Sequence, residues 1–194
     1  MVRCGALLCC LAACSGGSGG PTAPRGDPAD AFGAMHARVT GQNISDFMDT
    51  PATGTAEYRG LVRLDLPFAG AAATAHYGDL GLHVAFGAAA DTVTGRISNL
   101  QGAGGGLAGD LQIGNGVLYL GADPAIDYQF SAGLTGTLSQ GGQFYDLTGL
   151  IAGDFYGPDA SGIAGVVYQG AIRQGDGIDL FDGAFVAERS TLGG

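Results

Sequence analysis

From Gly54 onward the chain alternates apolar with polar or small residues in runs, and each run stops at a cluster of Gly, Asp or Asn. Successive side chains on a strand point to opposite faces, so a two-residue period marks a half-buried strand and excludes an amphipathic helix. The runs are Tyr58–Leu66, Tyr77–Phe86, Thr92–Asn99, Leu107–Ile113, Val117–Leu120, Asp127–Leu138, Phe144–Tyr156, Gly162–Ile172 and Ile178–Glu188. Gly114-Asn115-Gly116 between the fourth and fifth reads as a hairpin turn, because Asn-Gly accepts positive φ. No stretch after residue 54 keeps a helical period with caps. The fold class is therefore all-β, consecutive and antiparallel.

About eight strands in this length fit an up-and-down barrel over 54–190, which leaves no exposed edge; an open two-sheet sandwich is the alternative. Glycine supplies 38 of 194 residues and recurs inside the runs, at Gly95, Gly149, Gly153, Gly165 and Gly183. Glycine ordinarily weakens a strand, but in a small closed barrel it relieves bends and crowding. The register follows from charge. In Phe144–Tyr156 one face carries Asp146 and Asp154, and burying both in a chain with no Lys would cost several kcal/mol each. Tyr145, Leu147, Gly149, Ile151, Gly153 and Phe155 must then point inward. The same parity turns Leu80, Leu82, Val84, Phe86, Val93, Ile97, Leu111, Ile113, Tyr128, Phe130, Phe181 and Phe185 inward. Such a set fills a barrel of about eight strands, which leaves the rim and loops for binding.

The first residues differ in kind. All four cysteines, Cys4, Cys9, Cys10 and Cys14, precede residue 15, so none remains for a disulfide, a metal site or a catalytic thiol in the barrel. Arg3, the apolar run Ala6–Ala13 and a small-residue cut site make an export signal over residues 1–13. Leu11-Ala12-Ala13-Cys14 resembles the lipobox of bacterial lipoproteins, whose cysteine thiol takes a diacylglycerol and becomes the new N-terminus. Several acyl chains on Cys14 would anchor the protein firmly, and Ser15 is similar to the sorting signal for the outer membrane. Residues 14–53 then comprise the lipidated cysteine, a Ser/Gly/Pro tether to about Pro28, and a segment 29–50 readable as a short helix or a packed arm. Asn43-Ile44-Ser45 matches a glycosylation acceptor that a bacterial lipoprotein would leave idle.

Three groups of strings carry a further resemblance. Tyr77-Gly78-Asp79-Leu80-Gly81-Leu82 with Asp91-Thr92-Val93-Thr94-Gly95-Arg96-Ile97-Ser98-Asn99 resembles paired strands of the transferrin-binding protein B barrel. Gly153-Asp154-Phe155-Tyr156-Gly157-Pro158-Asp159-Ala160, followed by Gly162-Ile163-Ala164-Gly165, is similar to that family's Phe-Tyr-Gly-Pro segment, and Gly183-Ala184-Phe185 to its closing strand. The order is preserved over 54–190. The resemblance implies an eight-stranded barrel on a surface lipoprotein, with an extracellular protein or haem as ligand and iron acquisition as the process. The family's two lobes each carry a handle domain beside the barrel, and residues 15–53 are too short for one.

The remaining motifs are weak as chemistry. A formal charge of −10, from 18 acids against eight Arg, repels phosphate backbones and speaks against nucleic acid. Gly104-Gly105-Gly106-Leu107-Ala108-Gly109 matches a dinucleotide-binding loop in spelling, yet a strand rather than a helix follows it. Asp176, Asp179 and Asp182 resemble a single calcium-repeat turn, where six to eight oxygen ligands need neighbouring copies. His36, His76 and His83 are the histidines, with His36 or His76 the better haem-ligand candidates. Ser161 has no base near it in sequence, so no triad can be built and no enzymatic activity or cofactor is expected. A ligand-binding lipoprotein leads; a structural envelope lipoprotein or a lipocalin-like small-molecule binder are the alternatives.

Cys14 is the sole cysteine left after cleavage at residue 13, so the anchor reduces to one atom. Cys14→Ser should abolish labelling by radioactive palmitate and release the protein in soluble form; persistent labelling would show that the lipobox reading is wrong.

Overall fold

The computed structural model describes residues 26–46, 50–68, 70–87, 92–119 and 128–190. The signal, Cys14 and the tether up to residue 25 lie outside the described residues. A helix, α1 (Pro28–Thr40), precedes nine strands: β1 (Gly54–Leu66), β2 (Thr74–Phe86), β3 (Val93–Gly102), β4 (Gly105–Gly106), β5 (Leu111–Leu118), β6 (Phe130–Gln140), β7 (Gln143–Tyr156), β8 (Gly162–Gln174) and β9 (Gly177–Arg189). Each long strand pairs antiparallel with its neighbour, and β1 pairs with both β2 and β9, which closes the sheet. The two-residue β4 only folds back on β3, so the barrel has eight strands. Closure removes the sandwich alternative.

The predicted parity holds. Leu80, Leu82, Val84, Phe86, Val93, Ile97, Leu111, Ile113, Phe130, Tyr145, Leu147, Ile151, Phe155, Phe181 and Phe185 are all buried in one core. Phe155 sits at its centre, 5.5 Å from Phe130, 5.7 Å from Phe86 and 6.2 Å from Tyr58, ring centre to ring centre. Asp146 stays outside, accepting a hydrogen bond from the Thr137 hydroxyl. Asp154 is outside but half-covered; burial pushes its carboxyl up, and the hydrogen bond from the Gln129 backbone N–H offsets part of that.

Glycine makes the closure sterically feasible. Gly153 on β7 and Gly165 on β8 are register partners, and Phe185 on β9 lies beside them. A Cβ on Gly153 would come within 2.9 Å of the Phe185 ring, and one on Gly165 within 2.6 Å of the same ring and of the Gly153 Cα. Side chains at these points would hold adjacent strands apart. Gly81, on the outer wall, has open space where its Cβ would stand.

Two expectations are corrected. Gly114-Asn115-Gly116 is not a hairpin: it lies within β5, as a bulge where pairing with β6 jumps from Gly114↔Gly133 to Val117↔Ser131. Asn115 does take positive φ, 53°, but the strand continues past it because the Gly116 carbonyl is held by Thr92, from both its backbone N–H and its hydroxyl. Parts of the two runs thus lie on one strand, Leu111–Leu118; residues 107–110 precede it, and Leu120 is outside the described residues. Tyr128 is not inward. It precedes the start of β6 at Phe130, is outside the ladder that would orient it, and is 37% exposed.

The described part of the segment 29–50, residues 29–46 and Thr50, is both helix and arm. Asp27 caps α1 by accepting from the Ala29 N–H, Pro28 occupies the first turn, and Gly41 ends the helix. Pro28, read from sequence as the end of the tether, belongs to the helix. Val39 is fully buried on the outer wall against Ala164 and Val186, with Phe32, Met35 and Tyr156 packed around it. A Cβ on Gly162 would strike Val39, so small residues on β8 form the socket. Arg38 clamps the helix by donating Nε and Nη2 to the two Glu188 carboxylate oxygens, at 2.6 and 3.0 Å. Beyond the helix, Ile44 bridges Tyr156, the Ser45 N–H donates to the Phe155 carbonyl, and Gln129 ties Ser45 to the Phe155 N–H through its side-chain amide.

Overpacking a tight core typically costs about 1–3 kcal/mol, whereas a methyl added into open space costs little. Gly165→Ala should therefore lower the urea midpoint of unfolding clearly, while Gly81→Ala leaves it nearly unchanged; equal effects would refute the crowding account. A second expectation concerns pH. The hydrogen bond from Arg38 holds the Glu188 carboxyl below its ordinary range. Its contribution is present above the unfolded-state pKa and is lost as pH falls through the folded value. Hydrogen exchange in α1, corrected for the intrinsic pH dependence, should lose protection on acidification before the barrel does. In Arg38→Gln that difference should disappear.

Candidate functional site

The barrel interior offers no chemistry of its own. Among the described residues its inward side chains bury one another. At the end where β1 meets β2, Phe68 packs on Tyr145 with ring centres 4.5 Å apart, and edge-on to His76 at 5.3 Å. His76 is inward, 3% exposed, and its Nδ1 is hydrogen-bonded to the Thr74 carbonyl oxygen. Expected from sequence as a free ligand at a strand start, it is instead a packed core histidine, because even-numbered positions of β2 face inward. His36 stacks on Phe32 within α1, and His83 faces outward with Nε2 4.0 Å from a Glu57 carboxylate oxygen. The three imidazoles lie on separate faces. Among the described residues no three His, Cys, Asp or Glu side chains converge as a metal site.

At the opposite end the Phe-Tyr-Gly-Pro-Asp-Ala string is architectural. Phe155 fills the core, Tyr156 lies outside against the helix, and Gly157 turns the chain with φ 74°. Asp159 and Ala160 both follow in left-handed backbone, φ 54° and 53°. Such backbone persists where its surroundings over-determine it, and here two bonds do so. The buried Tyr58 hydroxyl donates to the Ala160 carbonyl at 2.7 Å, and Arg189 donates to the Asp159 carbonyl at 3.0 Å. Burial raises the Tyr58 phenol well above its ordinary pKa, so it stays a donor. Ser161 sits in this turn, donating weakly to the Tyr156 carbonyl at 3.3 Å, with no histidine beside it. A shallow depression of about 420 Å³, lined by Thr55, Glu57, Asp159 and Arg189 among others, opens beside the turn.

The outer wall holds two further recesses. One, about 560 Å³, lies between the start of α1 and strands β1–β3, lined by Ala31, Leu61, Tyr77, Asp79, Asn99 and Gln101. A second, about 410 Å³, shares Asp79 and Asn99 and continues to Arg59, Gly81 and Arg96. Register explains the second: Arg59 and Arg96 are the two cross-strand neighbours of Gly81, and Gly81 has no side chain to fill the space between them. Asn99, at φ 55°, sits where the β2–β3 register shifts and donates its amide to Asp79 at 2.7 Å. Arg96 leans toward Asp110, 3.4 Å away. These groups can bind polar ligands but include no nucleophile with a base.

A different surface went unnoticed in the sequence. Phe144, Ile178 and Leu180 are 68%, 55% and 77% exposed, at the starts of β7 and β9. The signal was available: parity places Phe144 with the outward Asp146, and Ile178 and Leu180 opposite in phase to Phe181. The acids of this hairpin diverge rather than form a calcium loop. Asp179 accepts from the Gly70 N–H, while Asp182 faces outward opposite Asp65. The Gly104–Gly109 loop leads into strand β5 and so lacks the helix that a pyrophosphate would need.

No protein-family model matches the chain, and no curated protein matches it. Among solved structures it is similar to transferrin-binding protein B from Haemophilus parasuis Hp5. A single-mutant form of that vaccine antigen is 13% identical, with a TM-score of 0.47, over 78% of this chain and 29% of that one. A double-mutant form is 16% identical, with a TM-score of 0.41, over 78% of this chain and 28% of that one. The chain spans under a third of the length of these structures.

Proposed function

We propose that this chain is a non-enzymatic lipoprotein of the outer membrane, anchored through Cys14, whose barrel captures a protein or nutrient ligand on its outer surface and loops. The observation that carries the reading is the filled interior. Tyr58, Phe130, Phe155 and Phe185 are among its fully buried side chains, and they occupy the space a lipocalin-like ligand would need. Contact with a ligand then falls to the wall and rims, where the recesses beside α1 and the exposed apolar side chains lie. The Ser/Gly/Pro tether gives the domain reach from the bilayer. Iron or haem acquisition is the process suggested by the barrel strings shared with transferrin-binding protein B; the solved structures similar to this chain bear the same name.

The test has two arms. A fluorescent fatty acid should show no saturable binding to the protein; saturation at one equivalent would move the ligand inside and support the lipocalin-like reading. A strain lacking the gene should grow normally on free iron salts and poorly with transferrin or haem as sole iron source. Unchanged growth on both would remove iron acquisition from the proposal.

A further inference from the structure

We infer that the outer wall formed by β7, β8 and β9, at the end where the β8–β9 hairpin turns, is a docking surface for a protein partner that presents apolar side chains bordered by Lys or Arg. The inference rests on the binding-protein reading above and adds the place and the partner's chemistry. Among the described residues, six large apolar side chains are exposed, and Phe144, Ile178 and Leu180 are three of them. Register gathers them: Leu180 pairs with Ala171, which pairs with Thr148, and Ile178 pairs with Arg173, which pairs with Asp146. Phe144 lies two residues before Asp146 on the same outward face. Large apolar side chains grouped on a wall that is otherwise polar mark a contact surface.

Charge selects the occupant. Asp146, Asp176 and Asp182 border the patch, and Asp65 stands directly opposite Asp182. Against these, Arg173 lies within the patch and Arg63 is engaged with Asp65 at 2.9 Å. Like charges directly opposite on adjacent strands are destabilising, so Asp65 and Asp182 would gain from a cationic neighbour. A bilayer surface carrying anionic lipid would be repelled. A second copy, with formal charge −10 and the same acidic border, would be repelled as well. A basic surface with apolar tips is the complement that remains.

The test is photo-crosslinking in the native host, with benzoylphenylalanine placed in the full lipoprotein at Phe144, Leu180, Asp159 or Gln112. Gln112 is exposed on β5, across the barrel from β9. Positions 144 and 180 should yield one heterologous protein adduct whose crosslinked peptide lies on a basic surface, and position 112 should yield none. Asp146→Lys with Asp182→Lys should reduce that adduct at least tenfold at unchanged circular dichroism; if the pair disturbs folding, Asp182→Asn alone should reduce it measurably. Lipid adducts, self-adducts, adducts indifferent to charge, or none at 144 and 180 would overturn the inference. Adducts at 159 without adducts at 180 would leave ligand capture standing and remove this surface. Silence at every position would count against both.

Discussion

Everything in this barrel depends on how closely neighbouring strands approach. Eight strands closing on themselves must tilt and coil, and coiling brings the backbone of one strand over inward positions of the next. Gly60, Gly95, Gly153, Gly165 and Gly183 occupy such positions, and a Cβ at any of them would fall inside the contact distance of the adjacent strand. The aromatic core is the counterpart. Phe185 fills the volume left by Gly153 and Gly165, so large and small residues on three consecutive strands form one packing unit. The glycine content that would weaken a flat sheet is here a condition of closure.

Closure has consequences for the exterior. Apart from His76 and the tyrosine hydroxyls, the described interior is apolar, and the Asp, Glu and Arg side chains lie on the wall, the loops and the segment before β1. The helix uses that wall as its support: its buried Val39 requires the small residues Gly162 and Ala164, and its Arg38 requires Glu188 at the end of β9. The arm that follows is joined to β7 by backbone pairing at Ile44 and Ser45. Residues 27–46 are therefore part of the folded surface. They form one side of the recess at Tyr77 and Asp79.

The strand pattern and its parity were legible because a period of two is a local signal and because Asp146 and Asp154 have no Lys to neutralise them if buried. Turn chemistry was less legible. Asn115 takes the positive φ that Asn-Gly advertises, but a hairpin and a bulge make the same demand on that residue, and the long-range bonds from Thr92 decide between them. Tyr128 was misplaced for a related reason, since parity orients a side chain only within a hydrogen-bonded ladder. His76 is a core residue because β2 begins at Thr74, before the Tyr77 at which the apolar alternation starts, so the inward parity extends back to it. The recess at Gly81 could not be read at all: Arg59, Asp79 and Arg96 come from three strands, and only the register brings them together.

The same distinction separates fold from function in the strings that resemble transferrin-binding protein B. Phe155, Tyr156, Gly157 and Ala160 build the end of the barrel: one fills the core, one seats the helix, one turns the chain and one receives the Tyr58 hydroxyl. Residues constrained by closure will recur in any barrel built this way, whatever it binds, so a shared string of this kind identifies architecture. On the proposed reading, binding specificity would come from positions that closure leaves free, and those are the outward ones. On β9 the division runs residue by residue: the Phe181 and Phe185 side chains are committed to the core, while those of Ile178, Leu180 and Asp182 face solvent, their backbones alone belonging to the ladders.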